Sequence, residues 1–215
     1  MEQLRARFSF WLAQNVTKLA GITGWPWLLK LMRRLTGTQV TVAQMLLIRK
    51  ALKESGSSKL LVFGVGNDSL FWMNANKGGR TVFIEDDEFW LRKIQKRIPG
   101  IEAYLVNYDT KLEQWKELLE SPEKLKMDFP GDVSKLNWDV VFVDAPTGWG
   151  EGTTGRMKSI YAGRKLAPKG HVFVHDCERE VEIACCDAIL KPEYFVQELK
   201  ATDSGYLRHY KFRTQ

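Results

Sequence analysis

A short apolar run that leads directly into a glycine turn is the feature that most constrains the fold of this chain. Residues 60–63 are Leu-Leu-Val-Phe, and Gly64 and Gly66 follow them. A second run, at 80–84, ends in three acids at 85–87. A buried strand, a glycine turn and an acid at the end of the next strand are typical of the start of a parallel sheet that binds a nucleotide or nucleoside. We therefore predict an α/β fold with its ligand site at the carboxyl ends of the strands.

The same alternation of strand and helix continues along the chain. Further strands are predicted at 102–106, 138–144 and 171–174, with helices between them. The run at 138–144 is almost continuously apolar, which suits a strand buried on both faces of a parallel sheet. Residues 194–200 and 207–213 predict a strand, a turn and a returning strand. The expected sheet is seven-stranded and mostly parallel, with an antiparallel pair at its end.

The N-terminal residues predict helices rather than strands. Residues 4–35 read as two short helices interrupted near Gly24 and Pro26, because both residue types break helices. A length of 215 residues supports the core of one α/β domain but hardly of two. We therefore assign residues 1–37 to a helical extension and residues 38–215 to a single domain.

The helical extension is rich in aromatic residues placed among basic ones. Phe8, Phe10, Trp11, Trp25 and Trp27 all fall within the first forty positions. Such helices either pack over the body of the protein, form a contact between subunits, or lie on a membrane surface. The net charge of +6 favours an anionic partner, although the basic residues are scattered. Peripheral membrane contact through this segment therefore stays open beside simple packing.

Composition also sets expectations for the compartment. Cys177, Cys185 and Cys186 lack the spacing of a zinc site, and their odd number argues against a disulfide framework. No run reaches the roughly 18 apolar residues of a membrane span, and the first residues do not form a signal-peptide pattern. These features predict a cytoplasmic protein, with membrane association as an alternative. A Golgi location is the expectation if the chain is a fragment of an anchored plant-type protein.

The glycine turn itself indicates which cofactor it binds. Gly64 and Gly66 allow close approach of a ligand to the backbone, and Glu85 can accept hydrogen bonds from ribose hydroxyls. No Lys-Ser or Lys-Thr follows the glycines, and the third glycine of a dinucleotide site is missing. Asp68 would repel a pyrophosphate but attract the cationic end of S-adenosylmethionine, which is therefore favoured over NAD. The expected cofactor-binding residues are Phe63, Gly64, Gly66, Asp68, Ser69, Glu85, Asp109 and Asp144.

Seven short blocks give the chain a family resemblance, namely residues 61–72, 78–87, 108–111, 143–148, 155–161, 172–176 and 207–210. With these blocks the chain resembles the plant DUF579 family, a polysaccharide-biosynthesis domain family that includes glucuronoxylan 4-O-methyltransferase. The resemblance implies a Rossmann-like class I methyltransferase fold and methyl transfer from S-adenosylmethionine to the 4-hydroxyl of glucuronic acid on xylan, or on arabinogalactan in related members.

Two departures from the family pattern concern the acceptor and the membrane. Asn67 stands where the family usually has His, so the substrate contacts of the family do not carry over at that position. Plant members carry an N-terminal Golgi anchor, which we do not find in these residues.

Three residues at neighbouring strand ends are the candidates for catalysis. Methyl transfer is an in-line displacement, so an enzyme must align the acceptor oxygen and remove its proton. We expect Asp144, His175 and Asp176 to perform this chemistry. Asp144 and Asp176 are also candidate ligands for a divalent cation (Mg, Mn or Co), as in cation-dependent O-methyltransferases. The alternatives are that Asp144 orders the loop after its strand and that His175 is a core residue.

An acidic sugar acceptor requires a cation and a flat surface. Arg156 and Arg208 are the candidate partners of its carboxylate, because a guanidinium binds a carboxylate through two hydrogen bonds. Trp149 offers a ring face, and Asn67 and His209 complete the expected substrate-binding set. Each of these residues could instead be structural, through surface ion pairs, loop packing or the core.

The predicted activity is therefore O-methylation of a glucuronic acid residue in a glycan. The alternatives are O-methylation of a small phenolic or other hydroxylated metabolite, and a non-catalytic binding module on the same fold. A nucleic acid partner is not expected, because Asp-Ala-Pro-Thr at 144–147 differs from the pattern of amino-methylating enzymes.

Overall fold

The computed structural model describes residues 2–56 and 58–213, with only the backbone described for residues 2–6. Three helices come first: α1 (Glu2–Thr23), α2 (Pro26–Thr36) and α3 (Val42–Glu54). Pro26 begins α2, at a position where its missing N–H has no helical partner. No helix in the described part of the chain is both long and apolar enough to span a bilayer.

The remaining elements alternate between strands and helices, as predicted. The described residues form one seven-stranded sheet in the order β3-β2-β1-β4-β5-β7-β6. Strands β1 to β5 are parallel to one another, while β7 runs antiparallel to both β5 and β6. The elements are β1 (Lys59–Phe63), α4 (Ser69–Ala75), β2 (Arg80–Glu85), α5 (Glu88–Arg97), β3 (Ala103–Leu105), α6 (Trp115–Glu120), β4 (Val140–Val143), α7 (Met157–Leu166), β5 (His171–Val174), α8 (Glu180–Cys185), β6 (Phe195–Leu199) and β7 (Leu207–Lys211).

The central strands separate two hydrophobic cores. Successive side chains of a strand point to opposite faces, so Leu61 and Phe63 pack in one core and Leu60 and Val62 in the other. The core on the Leu60 side is closed by the N-terminal helices. The segment predicted as an extension is thus packed into the main body of the protein.

Helix α1 is held closely against its neighbours. A Cβ added to Gly21 would lie 2.8 Å from the carbonyl oxygen of Phe71, so only glycine allows α1 to approach α4 in this way. At the end of α1, the Arg49 guanidinium donates to the carbonyl oxygens of Gly21 (3.1 Å) and Ile22 (2.5 Å). A basic side chain thus satisfies carbonyl groups that a helix end leaves without partners.

Two predicted elements differ from those observed. The strand predicted at 138–144 is shorter, because Trp138 turns into the core and its indole N–H donates to the carbonyl of Val133 (3.0 Å). The helix expected between β5 and the terminal strand pair is α8, which is followed by a π-helical turn at Cys186–Leu190.

Candidate active site

A cavity of about 430 Å³ opens at the carboxyl ends of β1, β2, β4 and β5. This is the edge where open parallel sheets bind their ligands. The cavity brings together predicted residues from four separate loops, namely Gly64, Gly66, Asp68, Glu85, Asp144, Trp149, Arg156 and Asp176.

The glycine turn is shaped by close backbone contacts. Gly64 has a φ of 110°, and a Cβ at this position would lie 3.1 Å from the Cβ of Ala145. The N–H of Gly66 donates to the hydroxyl of Ser69 (2.9 Å), which is fully buried. Ser69 therefore fixes the shape of the turn, and Phe63 lies in the core beneath it.

Glu85 joins the glycine turn to the end of β2. Its carboxylate accepts hydrogen bonds from the backbone N–H groups of Val65 (2.8 Å), Asp86 (3.1 Å) and Asp87 (2.9 Å). Burial raises the pKa of Glu85, and these hydrogen bonds oppose the shift by stabilising the anion. A carboxylate offers about four acceptor positions, so one remains for a ligand hydroxyl at the cavity wall.

Asp68 brings a second carboxyl group to the same side of the cavity. One of its oxygens accepts a hydrogen bond from the indole N–H of Trp72 (2.8 Å). Enclosure by protein atoms, reinforced by the Asp144 carboxylate, raises the pKa of Asp68 to about 6. A cationic ligand group beside Asp68 would favour its ionised form.

His175 lies between the two acids predicted to be catalytic. Its Nδ1 atom is 3.1 Å from a carboxylate oxygen of Asp144 and 3.1 Å from one of Asp176. Burial acts to lower the pKa of His175, but the two carboxylates outweigh burial and raise this pKa to about 10. In this arrangement His175 is an imidazolium near neutral pH, so it donates a hydrogen bond and does not accept a proton.

Arg156 ties the loops after β4 and β5 together. It is 5% exposed and donates to the carbonyl oxygens of Pro146 (3.1 Å), His175 (2.8 Å) and Asp144 (2.8 Å). The same guanidinium lies 2.7 Å from the Asp176 carboxylate. Most of its donors are therefore already used within the protein, which corrects the expectation that Arg156 is available for a substrate carboxylate.

The acidic cluster has a donor set that fits a divalent ion. Asp144, His175 and Asp176 each offer one ligand atom, and these atoms lie within 4.8 Å of one another. Two carboxylate oxygens with one imidazole nitrogen suit manganese or cobalt better than magnesium, which prefers oxygen ligands. The proton on Nδ1 of His175 would have to leave, as usual when a metal binds histidine.

Three residues predicted to bind substrate lie away from the cavity. Asn67 accepts a hydrogen bond from Arg97 (2.9 Å) on the side that faces α1. Arg208 pairs with Glu198 (2.9 Å) and Asp187, while His209 stacks on Phe173 inside the protein. Adjacent residues of a strand point to opposite faces, so Arg208 and His209 cannot both face one site, and neither lines the cavity.

Asp109 also lies outside the main cavity. Its carboxylate forms an ion pair with Lys158 and borders a separate depression beyond the end of β3. Asp109 does not line the cavity that contains the glycine turn, where the cofactor was expected to bind.

Sequence reasoning missed several residues that line the cavity, among them Gln39, Asp86, Trp90 and Arg179. Asp86 directly follows Glu85, and Arg179 follows Asp176 within one turn, so proximity to predicted residues was an available signal. The indole N–H of Trp90 donates to the carbonyl of Val65, which brings its ring to the glycine turn. The sequence around Gln39 does not indicate a place at the cavity, because the position of this residue depends on how α2 and α3 pack.

Comparisons with known proteins place the chain among carbohydrate-related sequences. The sequence profile of the family described as IRX15/IRX15L/GXM matches residues 43–210. Glucuronoxylan 4-O-methyltransferase 1 of Arabidopsis thaliana is 35% identical over 194 residues, which cover 80% of this chain and 67% of that protein. Arabinogalactan O-methyltransferase 1 of Arabidopsis thaliana is 31% identical over 197 residues, covering 80% of this chain and 66% of that protein. The chain thus spans about two thirds of the length of these curated relatives.

A solved structure shares the fold. The O-methyltransferase from Bacillus cereus in complex with SAH is 12% identical, with a TM-score of 0.52, and the match covers 94% of this chain and 90% of that one. The likeness extends over nearly the whole chain and includes the mixed sheet with its antiparallel end. The predicted Rossmann-like class I methyltransferase fold is confirmed.

Proposed function

Because the chain belongs to the IRX15/IRX15L/GXM family, we propose that it methylates the 4-hydroxyl of a glucuronic acid residue in a glycan, with S-adenosylmethionine as the methyl donor. This proposal rests on one observation, namely that the glycine turn, Glu85, Asp144 and Asp176 all line the same cavity. A cofactor half and a proton-transfer half meet there, as methyl transfer to a hydroxyl requires.

The cofactor half is formed by the loops after β1 and β2. S-adenosylmethionine, when bound, supplies an electrophilic methyl group. Gly64 and Gly66 leave room for its close approach to the backbone. Glu85 accepts a hydrogen bond from a ribose hydroxyl at its remaining acceptor position, and Asp68 provides the negative charge that faces the cationic end.

The proton-transfer half is formed by the loops after β4 and β5. One oxygen of Asp144 is held by His175 and Arg156, while its side chain remains 31% exposed at the cavity. We assign the other oxygen of Asp144 the role of accepting the proton of the acceptor hydroxyl. The imidazolium of His175 and the guanidinium of Arg156 orient Asp144 for this step. If a divalent ion binds, His175 would instead lose its Nδ1 proton and hold the ion together with Asp144 and Asp176, and the ion would lower the pKa of the acceptor hydroxyl.

Arg179 is the proposed partner of the uronate carboxylate. One terminal nitrogen of its guanidinium pairs with Asp176 (2.8 Å), while the other terminal nitrogen lies 3.9 Å from the buried Glu182 carboxylate and has no hydrogen-bond partner among the described residues. The side chain is 27% exposed where it borders the cavity. Trp149, which is 69% exposed on the opposite loop, supplies a ring face for the sugar.

The proposal is tested by screening acceptors with labelled S-adenosylmethionine. The acceptors are glucuronoxylan fragments, arabinogalactan fragments, free glucuronic acid, neutral xylan fragments and simple phenols. Incorporation should require the uronic acid, and the product should carry its methyl group on O4. Labelling of phenols with none on uronic acids would contradict the acceptor. An absence of S-adenosylmethionine binding in calorimetric titration would contradict the activity itself.

A further inference from the structure

Helices α1 and α2 expose an extensive apolar surface, here called the N-terminal apolar face. Trp11, Trp25 and Trp27 are 58%, 52% and 58% exposed, so each has more than half of its accessible surface in solvent. Contiguous apolar patches larger than a few hundred Å² are rare on monomeric proteins and mark interaction sites. The full set of residues on this face is Phe8, Trp11, Leu12, Leu19, Ile22, Trp25, Trp27, Leu31 and Leu35.

The N-terminal apolar face is a separate stripe and not the edge of the core. On α1, exposed Phe8, Leu12, Leu19 and Ile22 recur at three-, four- and seven-residue spacings, which places them on one side of the helix. The opposite side, with Ala20 and Gly21, packs against α4. Helix α1 thus has an inner apolar side that holds the fold and an outer apolar side left without a partner among the described residues.

Helix α2 repeats this division. Its inner side buries Leu28, Leu29 and Met32, while Trp27 and Leu31 point outward. The two tryptophans at the start of α2 also stack, with their ring centroids 6.0 Å apart. The outer sides of both helices therefore contribute to one face.

The charge of this part of the chain identifies its partner. Residues 3–53 contain nine Lys and Arg and no Asp or Glu, whereas the rest of the chain has 23 basic and 26 acidic residues. Among the described residues, the exposed Arg7, Lys18, Lys30 and Arg34 form no ion pair. A positive surface that carries tryptophan matches an anionic bilayer, where these rings settle at the headgroup level and basic residues meet acidic lipids. A second copy of the chain would instead bring two positive surfaces together.

We propose that the N-terminal apolar face binds peripherally to an anionic lipid surface. The tryptophans and aliphatic side chains enter the interface, and the unpaired basic residues contact the acidic headgroups. The face shares no residue with the cavity. Lipid binding is therefore independent of the proposed methyl transfer and is measured separately from it.

The experiment is co-sedimentation with phosphatidylcholine vesicles prepared with and without phosphatidylserine. The wild-type protein should bind the vesicles that contain phosphatidylserine, with a blue shift of tryptophan fluorescence. The variant W11A/W25A/W27A and the variant K18E/K30E/R34E should each lose about tenfold or more in affinity. The controls F89A and K96E change an exposed aromatic residue and an exposed lysine on α5, and should bind like the wild type.

Three outcomes would overturn the proposal. These are equal binding to both kinds of vesicle, variants that bind like the wild type, and absence of vesicle binding together with a dimer in light scattering that the tryptophan variant abolishes. The last result would assign the face to a second copy of this chain. All the substituted side chains are exposed, so every variant should remain folded. Thermal unfolding of each variant checks this and separates a loss of binding from a loss of fold.

Discussion

At the scale of single residues, the roles of the acids at the cavity are set by their partners. Asp176 is ion-paired with both Arg156 (2.7 Å) and Arg179 (2.8 Å), and the His175 proton also points to it. Burial acts to raise the pKa of Asp176, but these cations lower the pKa by more. Asp176 is therefore held as an anion that organises cations, whereas Asp144 keeps an oxygen toward the cavity.

Replacing Asp144 with Asn should separate chemistry from binding. Loss of a positioned proton acceptor typically costs about 10²–10⁴ in rate, so kcat should fall within that range while S-adenosylmethionine still binds. The matched control is Asp109→Asn, which alters a carboxylate beyond the end of β3 and outside the cavity. Single-turnover kinetics and calorimetry provide the two readouts. A kcat within a few-fold of the wild type would remove Asp144 from the mechanism.

Replacing Arg179 with Gln should weaken the binding of an acidic acceptor. A hydrogen bond to a charged group contributes about 1.5–3 kcal/mol, so KM for a glucuronic acid acceptor should rise tenfold or more. Arg208→Gln is the control, because that guanidinium is bound to Glu198 away from the cavity. A lower kcat with an unchanged KM for the glucuronic acid acceptor would indicate a structural role for Arg179 through Asp176.

At the scale of secondary-structure elements, most of the architecture was predictable because its signals are local. The strands at 59–63 and 171–174 and the helix at 88–97 follow from apolar runs bounded by glycine, proline or charge. The site was predictable in part for the same reason, since Glu85 ends one strand and Asp144 directly follows another. Arg208 and His209 were misplaced because the antiparallel register of β7 against β5 decides which face each side chain meets.

The pairing of β5 with β7 also predicts a pH dependence of stability. His209 lies in the protein interior, 2.8 Å from a ring nitrogen of His171. Burial, with a contribution from His171, lowers the pKa of His209 from its ordinary 6.5 to about 3. Between pH 6.5 and about 3, His209 therefore binds a proton in the unfolded chain but not in the folded protein. This group stabilises the fold above pH 6.5, and its contribution is lost as the pH falls toward 3.

The corresponding variant is His209→Gln, examined by urea unfolding at several pH values. One differential proton changes the free energy of unfolding by about 1.4 kcal/mol per pH unit. Between about pH 4 and 6, the wild type should lose stability more steeply than the variant by up to this slope. Above pH 7 the two slopes should agree. Parallel curves over the whole range would show that His209 does not remain neutral in the folded protein.

At the scale of the whole molecule, the two proposed surfaces lie on different parts of one body. The cavity is at the carboxyl edge of the sheet, and the N-terminal apolar face is on the outer side of α1 and α2. The inner side of α1 connects them, because Gln14 donates to the Arg97 carbonyl (3.0 Å) and Arg97 donates to Asn67 beside the glycine turn. The departure from the family at Asn67 thus lies at a contact with the N-terminal helices, outside the lining of the candidate active-site cavity.

The same packing predicts that residues 1–37 are part of the folding unit. Leu29 is fully buried in the core that α2 closes, whereas Leu31, two positions later, is 37% exposed. Leu29→Ala should lower the free energy of unfolding by about 2–5 kcal/mol through the cavity it creates, and Leu31→Ala by about 0.5 kcal/mol or less. Removal of residues 1–37 should then prevent stable folding, because it exposes the apolar side chains of α3 and α4 that α1 and α2 cover. Urea unfolding of the two variants and of the truncated chain tests both expectations. A truncated chain as stable as the full one would establish that residues 1–37 are a separate unit.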